Sequence, residues 1–314
     1  MLDMKRLRLL RELQTRGTIR AVAEALNYSP SAVSQQLSLL EQETDTQLLR
    51  KAGRGVALTA AGEVLAAEAE QLLAGLERAE ANLHRARDEV RGTIRIAVFQ
   101  SAFLALAPPA LRALRAQHPK LRLEIVQWEP GEALRETSAR GVDLVIAEEY
   151  PGHSRSYLPG LDRVPLVNDP IFLALPPEGA GDVRFDAATT IDELAQLPWV
   201  MEPSGTATRD WGEQACRAAS FEPEVRYETS DLQAHERLIA TGNAAGFLPG
   251  LVHAGSDVRL LELPGAPHRS VFSSARASQE AHPALAAVRE ALAAAAAAHT
   301  FPLRTPTPPS PGRS

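Results

Sequence analysis

Apolar residues recur at helical spacing through the first third of the chain and at strand spacing after it, and the switch divides the molecule. Over residues 1–16, Leu7, Leu10 and Leu13 mark the inner side of a helix. A short helix with Ala21, Val22, Ala25 and Leu26 on one face is expected to end at Asn27-Tyr28. Ser29 can cap a second helix, with Pro30 at its first position. There Val33, Leu37 and Leu40 line one face, leaving Pro30, Ser31, Ser34, Gln35 and Ser38 on the other. From Ala60 to about Val90 the chain forms helix continuously, and Leu65, Ala69, Leu72, Leu76, Ala79 and Leu83 make a heptad seam. That period favours pairing with a second helix; packing on its own domain is the other reading.

Gly92 ends the helical third. Strand-like runs follow at 93–98, 121–127 and 143–148, with helices expected at 102–117 and 132–140. After a connection near 163–169 the pattern repeats: strands at 171–176, 198–201, 224–229 and 244–249, helices at 191–196, 209–219 and 232–241. A returning strand at 270–277 and an Ala-rich helix at 283–298 close the series. Strands alternating with helices imply parallel sheet, here in two α/β lobes with the chain crossing near residues 166 and 268. The Pro-rich residues 301–314 lack a hydrophobic pattern and are expected to be disordered.

The outer face of the second short helix carries hydroxyls and an amide but no acid, where a solvated helix would carry Lys and Glu. Gln can pair bidentately with adenine, and Ser can approach base edges or phosphates. Leu48 and Leu49, then Arg50, Lys51, Gly53, Arg54 and Gly55, then Val56, Leu58 and Thr59 read as a basic hairpin on a hydrophobic root. Cations there can lie along phosphates, which positions a reader without specifying sequence.

The segment YSPSAVSQQLSLLE followed by LLRKAGRGVALTAAG, with its Leu-Thr-x-x-Gly, resembles the winged helix-turn-helix of LysR-type transcriptional regulators, and the layout is similar over nearly the full length. Asp45 stands where that family usually has Gly, and Lys51 where it usually has Arg. Asp tolerates a left-handed turn, whereas Lys keeps the charge and loses the planar fork. The resemblance implies an α+β multidomain protein: a winged helix-turn-helix over 1–60, a linker and dimerisation helix over 61–91, and a two-lobed, periplasmic-binding-protein-like effector domain over 92–300. Lobe I would hold 92–165 and 268–300, and lobe II 166–267. The implied partners are a double-stranded DNA operator, a small-molecule effector, a second copy of the chain as dimer or tetramer, and RNA polymerase. The DNA contacts would fall at Thr18, Ser29, Pro30, Ser31, Ser34, Gln35, Ser38, Arg50, Lys51 and Arg54.

Charge changes the picture in one respect. A net charge of -6 looks wrong for a DNA binder, but residues 1–60 hold 9 Lys or Arg against 6 Asp or Glu, and the remainder holds 24 against 33. The lone cysteine, Cys216, excludes an intramolecular disulfide and reads as a small buried hydrophobe. No apolar run is long enough to span a bilayer and no export signal is evident, so a cytoplasmic protein is expected. The eight histidines are scattered, no zinc spacing appears, and no nucleophile elbow, Walker loop or dinucleotide fingerprint is present. Neither catalysis, a cofactor nor a metal is expected.

Ligands in open α/β sheets sit beyond the carboxyl ends of strands, beside helix N-termini. That selects Phe99, Gln100 and Ser101, Trp128 and Glu129, and Glu148 in the first lobe, and Ser204, Gly205, Thr206, Thr229 and Ser230 in the second. These places correspond to effector-contacting positions in the resembling family. Other readings stand beside them: Ser204 and Thr206 as helix caps, Trp128 as core, and Glu148 beside Glu149 as a solvated strand end. The acidic pair suggests a ligand with a cationic group. A cytoplasmic solute-binding protein whose N-terminal helices merely dimerise it is the alternative function.

Overall fold

The structure, a computed structural model, describes residues 2–53, 55–86, 90–155, 157–252 and 257–301. Arg54 and the tail at 302–314, expected respectively as a DNA contact and as disordered, lie outside the described residues. The head comprises α1 (Met4–Arg16), α2 (Ile19–Leu26), α3 (Pro30–Thr44) and a hairpin of β1 (Leu49–Ala52) and β2 (Gly55–Leu58). Its core joins Leu7, Leu10, Val22, Val33, Leu37 and Leu40 to Ala66 and Ala69 of α4 (Ala60–Arg85). Ala23 rather than Ala25 turns inward on α2.

Two junctions explain the local sequence. Asp45 ends α3 at φ 47 and ψ 39, so the left-handed turn survives without glycine. In the Leu58-Thr59-x-x-Gly62 motif, the Thr59 hydroxyl accepts from the Gly62 amide at 3.1 Å and donates to the Gln47 carbonyl at 2.8 Å. A Cβ on Gly62 would stand 2.2 Å from the Leu48 carbonyl oxygen, so α4 could not seat against the wing root with any larger residue there.

The seam on α4 is divided. Ala69 is buried in the head and Leu65 packs against it, whereas Leu72, Leu76 and Leu83 stand 49%, 47% and 59% exposed. Ala79 and Val64 are exposed beside them. Only part of the heptad is therefore free to meet a second helix.

Lobe I is built from β3 (Gly92–Val98), α5 (Gln100–Ala105), α6 (Ala107–Gln117), β4 (Leu121–Gln127), α7 (Pro130–Ser138) and β5 (Leu144–Glu149). The expected single helix over 102–117 is two helices, because Pro108 and Pro109 supply no amide hydrogens and start a new one. Then β6 (Val164–Leu175) runs through the region read as a connection and carries the chain into lobe II. There follow α8 (Val183–Ala187), β7 (Pro198–Met201), α9 (Ala207–Ala218), β8 (Glu224–Glu228), α10 (Leu232–Ala240), β9 (Gly246–Pro249) and β10 (Arg259–Glu262). Only a short 3-10 turn, Asp192–Leu194, occupies the helix expected at 191–196. The chain returns on β11 (His268–Ala275) and ends in α11 (Pro283–Ala298).

The sheets are mixed rather than parallel. β3 pairs in parallel with β4 and β5, and β7 with β8, but β11 is antiparallel to β5 and β6, and β6 to β9 and β10. The first half of β6 lies against β11 and its second half against β9 and β10, so one strand serves both lobes. Cys216 is fully buried in lobe II, and burial pushes its thiol up to about 12. Among the described residues no helix is long and apolar enough to cross a membrane. No group of three or more His, Cys, Asp or Glu among them could hold a metal ion.

Candidate DNA-reading face and interlobe site

Helix α3 is held by its caps, and so is α2 before it. The Ser29 hydroxyl accepts from the Ala32 amide at 3.2 Å and lies 3.0 Å from that of Ser31, and the Thr18 hydroxyl accepts from the Ala21 amide at 3.1 Å. With Val33, Leu37 and Leu40 buried, Pro30, Ser31, Ser34, Gln35 and Ser38 are left exposed on the outer side of α3. Gln36 is withdrawn, its Oε1 accepting from Arg6 Nε at 3.0 Å. Glu41 Oε1 accepts from the Leu48 and Leu49 amides at 2.8 and 2.9 Å, which ties the hairpin to α3. Arg50 and Lys51 are both exposed. They sit opposite Ala57 and Val56, and because neighbours along a strand point to opposite faces, the two cations leave the hairpin on different sides.

Between the lobes, the candidates separate into groups. Phe99 is 4% exposed and packs in the lobe I core, and Trp128 packs half-buried against the cluster under α7. The Thr206 hydroxyl caps α9, accepting from the Arg209 amide at 3.2 Å. Glu129, Ser204, Gly205 and Ser230 are exposed and Thr229 half-buried. Gly205 takes φ +87, a conformation that disfavours a side chain.

Glu148 is not a solvated strand end. It is buried and hydrogen-bonded to Arg269, which is 1% exposed. Arg269 Nε also donates to Asp169 at 2.7 Å, its Nη2 donates to the Ser101 hydroxyl at 2.5 Å, and its guanidinium carbon lies 5.1 Å from the centre of the Phe99 ring. Arg269 and Asp169 are register partners on β11 and β6, where the chain crosses between lobes. Burial pushes both carboxyls up, and Arg269 pulls them back. Glu149, the other half of the acidic pair, binds Arg163 at 2.5 Å. The cations suggested for a ligand by Glu148 and Glu149 are thus supplied within the chain.

Gln100 is the candidate that touches both lobes. Its Nε2 donates to Asp231 Oδ1 at 2.7 Å and its Oε1 accepts from the Leu232 amide at 2.9 Å. Beside this contact stand groups that pattern reading passed over. Glu202, which follows β7 and was reachable by the same positional rule, has its carboxyl pushed up to about 7 by burial and by the charges of Glu148 and Glu129. The Tyr150 hydroxyl is buried with no hydrogen-bond partner among the described residues. His235 Nε2 lies 2.7 Å from the Thr229 carbonyl, and burial lowers the imidazole's affinity for a proton. A groove of about 610 Å³ opens between α7 and α9, lined by Gly131, Arg135, His153, Arg155 and Ala207 among others.

Residues 87–297 match the family described as LysR substrate binding domain, and residues 4–63 match the bacterial regulatory helix-turn-helix protein, lysR family. The uncharacterized HTH-type transcriptional regulator YcgK of Bacillus subtilis is 22% identical over 86% of this chain and 87% of its own. The transcriptional dual regulator GltC of the same organism is 24% identical over 82% and 84%. Among solved structures, full-length OxyR from Pseudomonas aeruginosa aligns with a TM-score of 0.66 at 17% identity, covering 93% of this chain and 95% of that one. CbnR in complex with its target DNA aligns at 0.51 and 19%, covering 94% and 100%. The N-terminal helices are therefore more than a dimerising appendage to a solute-binding protein. With an exposed, acid-free face of α3 at one end and two lobes meeting at Gln100 at the other, this chain belongs to the LysR family of transcriptional regulators, with a DNA-binding helix-turn-helix and an effector-binding domain.

Proposed function

We propose that Gln35, with Ser31, Ser34 and Ser38, reads base edges in the major groove, while Thr18, Ser29, Pro30, Arg50, Lys51 and Arg54 hold the head on the phosphates. The face of α3 that carries this reading is exposed, polar and free of acid. A small-molecule effector would bind between the lobes, against Gln100, Glu129, Thr229 and Ser230, and act by favouring one lobe arrangement over another. A ligand indifferent to the two would shift nothing.

The exposed stripe of Leu72, Leu76, Ala79 and Leu83 supports pairing of two chains through α4. Two readers about one helical turn apart then meet successive major grooves. The protein would act by binding alone, in the cytoplasm, with RNA polymerase as a further partner. A footprint on the DNA flanking its own gene, repeated over a salt series, is the test. Sequence-selective protection that weakens with salt is expected, and protection indifferent to sequence overturns the reading.

A further inference from the structure

Helix α7 joins the two functional ends of the protomer. Its N-terminus is at the interlobe site: Glu129 stands at its N-cap position without a side-chain capping bond, near enough for its charge to act on Glu202, and Gly131 lines the groove. About 14 Å further on, at 1.5 Å per residue, its other end meets the DNA-reading head. Glu136 receives both Nη1 and Nη2 of Arg16 from α1, at 2.7 and 2.8 Å. Arg11 Nη2 donates to the Ser138 carbonyl at 2.8 Å, and Arg11 Nε to Glu70 of α4 at 2.6 Å. Just past α7, Arg140 forks onto the two oxygens of Glu70 at 2.9 Å each.

This seam is ionic. Among the described residues no hydrophobic cluster combines residues of the head with residues of lobe I. Within it Glu12 is fully buried: its Oε2 accepts from Arg16 Nε at 2.7 Å, while its Oε1 and Arg11 Nη1, 3.6 Å apart, have no hydrogen-bond partner among the described residues. Removing charges from water offsets most of what their pairing returns, and each side regains its hydration on separation. A seam of this kind fixes an orientation while costing little to release; an apolar contact of the same area would hold more firmly.

We propose that α7 is the strut that couples the interlobe site to the DNA-reading head, with the Arg16–Glu136 pair as a latch that holds the head in one orientation against lobe I. A ligand that displaces the first turn of α7 moves Glu136 at the other end, releases Arg16 and frees the head. The strut rests on the reading that the effector binds between the lobes; the latch does not.

The test uses the full-length protein without effector, and two readouts: amide hydrogen exchange in α1, and affinity for a duplex selected in vitro against the wild-type chain. Because Arg16 Nε also donates to the buried Glu12 at 2.7 Å, the changes are made on the other side of the pair. Glu136→Ala and Glu136→Arg should each speed exchange in the last turn of α1 and change duplex affinity by about fivefold or more, and Glu136→Asp, which keeps the carboxylate, should recover much of both. Wild-type exchange and affinity in Glu136→Ala and Glu136→Arg overturn the latch, and since the Glu136 side chain is 23% exposed, a melting curve for each variant separates loss of folding from loss of the pair.

Gly131→Trp serves as a fixed occupant of the groove, since a Cβ there meets only guanidinium atoms at 3.5 Å and beyond. It should speed α1 exchange in the wild-type background and add nothing when Glu136 is Ala. Additive effects overturn the strut. Failure to select any duplex would count against the DNA-binding reading, while the exchange experiment still decides the latch.

Discussion

Gln100 in lobe I supplies a cap to a helix in lobe II: its side-chain amide binds Asp231, the N-cap residue of α10, and its oxygen takes the Leu232 amide that follows. The same contact holds the Asp231 carboxyl below its ordinary range. Gln100→Ala should release the first turn of α10 by about 1 kcal/mol, seen as faster amide exchange at Leu232. Gln100→Glu should open the lobes further, because it sets a second carboxylate against Asp231. Unchanged exchange in both variants would show that the contact does no holding.

On DNA, Gln35→Ala should cost about 1 to 3 kcal/mol at one or two base positions and little elsewhere. Arg50→Ala should weaken every sequence alike and flatten the salt dependence by about one charge. Titrations of specific and random duplexes separate the two, and equal losses on both would remove Gln35 from base reading.

Stability should respond to pH in opposite senses at two histidines and at one carboxyl. His235 and His282 both hold a proton less readily when folded, chiefly through burial, and His282 also faces His84 at a ring separation of 4.9 Å. Their contribution is present above the ordinary histidine value of about 6.5 and is lost as pH falls below it. Glu202 runs the other way: with its folded value at about 7, its contribution is present under acid conditions and is lost as pH rises toward and through 7. Glu202→Gln should therefore raise the melting temperature at pH 8 and leave it little changed at pH 5. An equal rise at both would mean that titration of Glu202 is not the cause.

Arg269 neutralises two buried carboxylates at once. Arg269→Met should destabilise the effector domain by about 3 to 5 kcal/mol, since it strands Glu148 and Asp169. Adding Glu148→Gln and Asp169→Asn should recover much of that loss. A triple variant as unstable as the single one would place the cost in packing.

Leu76→Glu puts a charge in the middle of the exposed α4 stripe. Sedimentation should show the dissociation constant of the assembly rising by about tenfold or more, the ratio carried by about 1.4 kcal/mol. A control at exposed Glu68, changed to Gln, should leave it alone.

The head was readable because its contacts are local. Caps, turns and apolar faces at Ser29, Asp45 and Val33 depend on residues within a few positions, and the patterns at those spacings are the ones the helices adopt. The interlobe site was readable only by position. Strand ends led to Gln100 and Thr229, but Arg269 and Asp169 meet across 100 residues of sequence, and nothing near either one announces the other. The latch between Arg16 and Glu136 spans 120 positions and looks in sequence like two ordinary surface charges. The missed strand β10 is four residues long, and antiparallel pairing against β6 stabilises it with no periodicity of its own.

One strand order has a bearing on how the chain is made. β11 lies between β5 and β6, and α11 fills the lobe I core, so lobe I cannot be completed until residues beyond 283 have left the ribosome. Lobe II lies wholly within the chain emerging before then, and the head needs nothing after α4 for its core. For that interval a nascent polypeptide carries finished structure at both ends of an unfinished sheet, with β5 and the first half of β6 still open along one edge. Neighbouring chains on one message can pair there by mistake, which makes the stretch from β11 through α11, residues 268–298, the one whose delay or truncation would send this protein into aggregates.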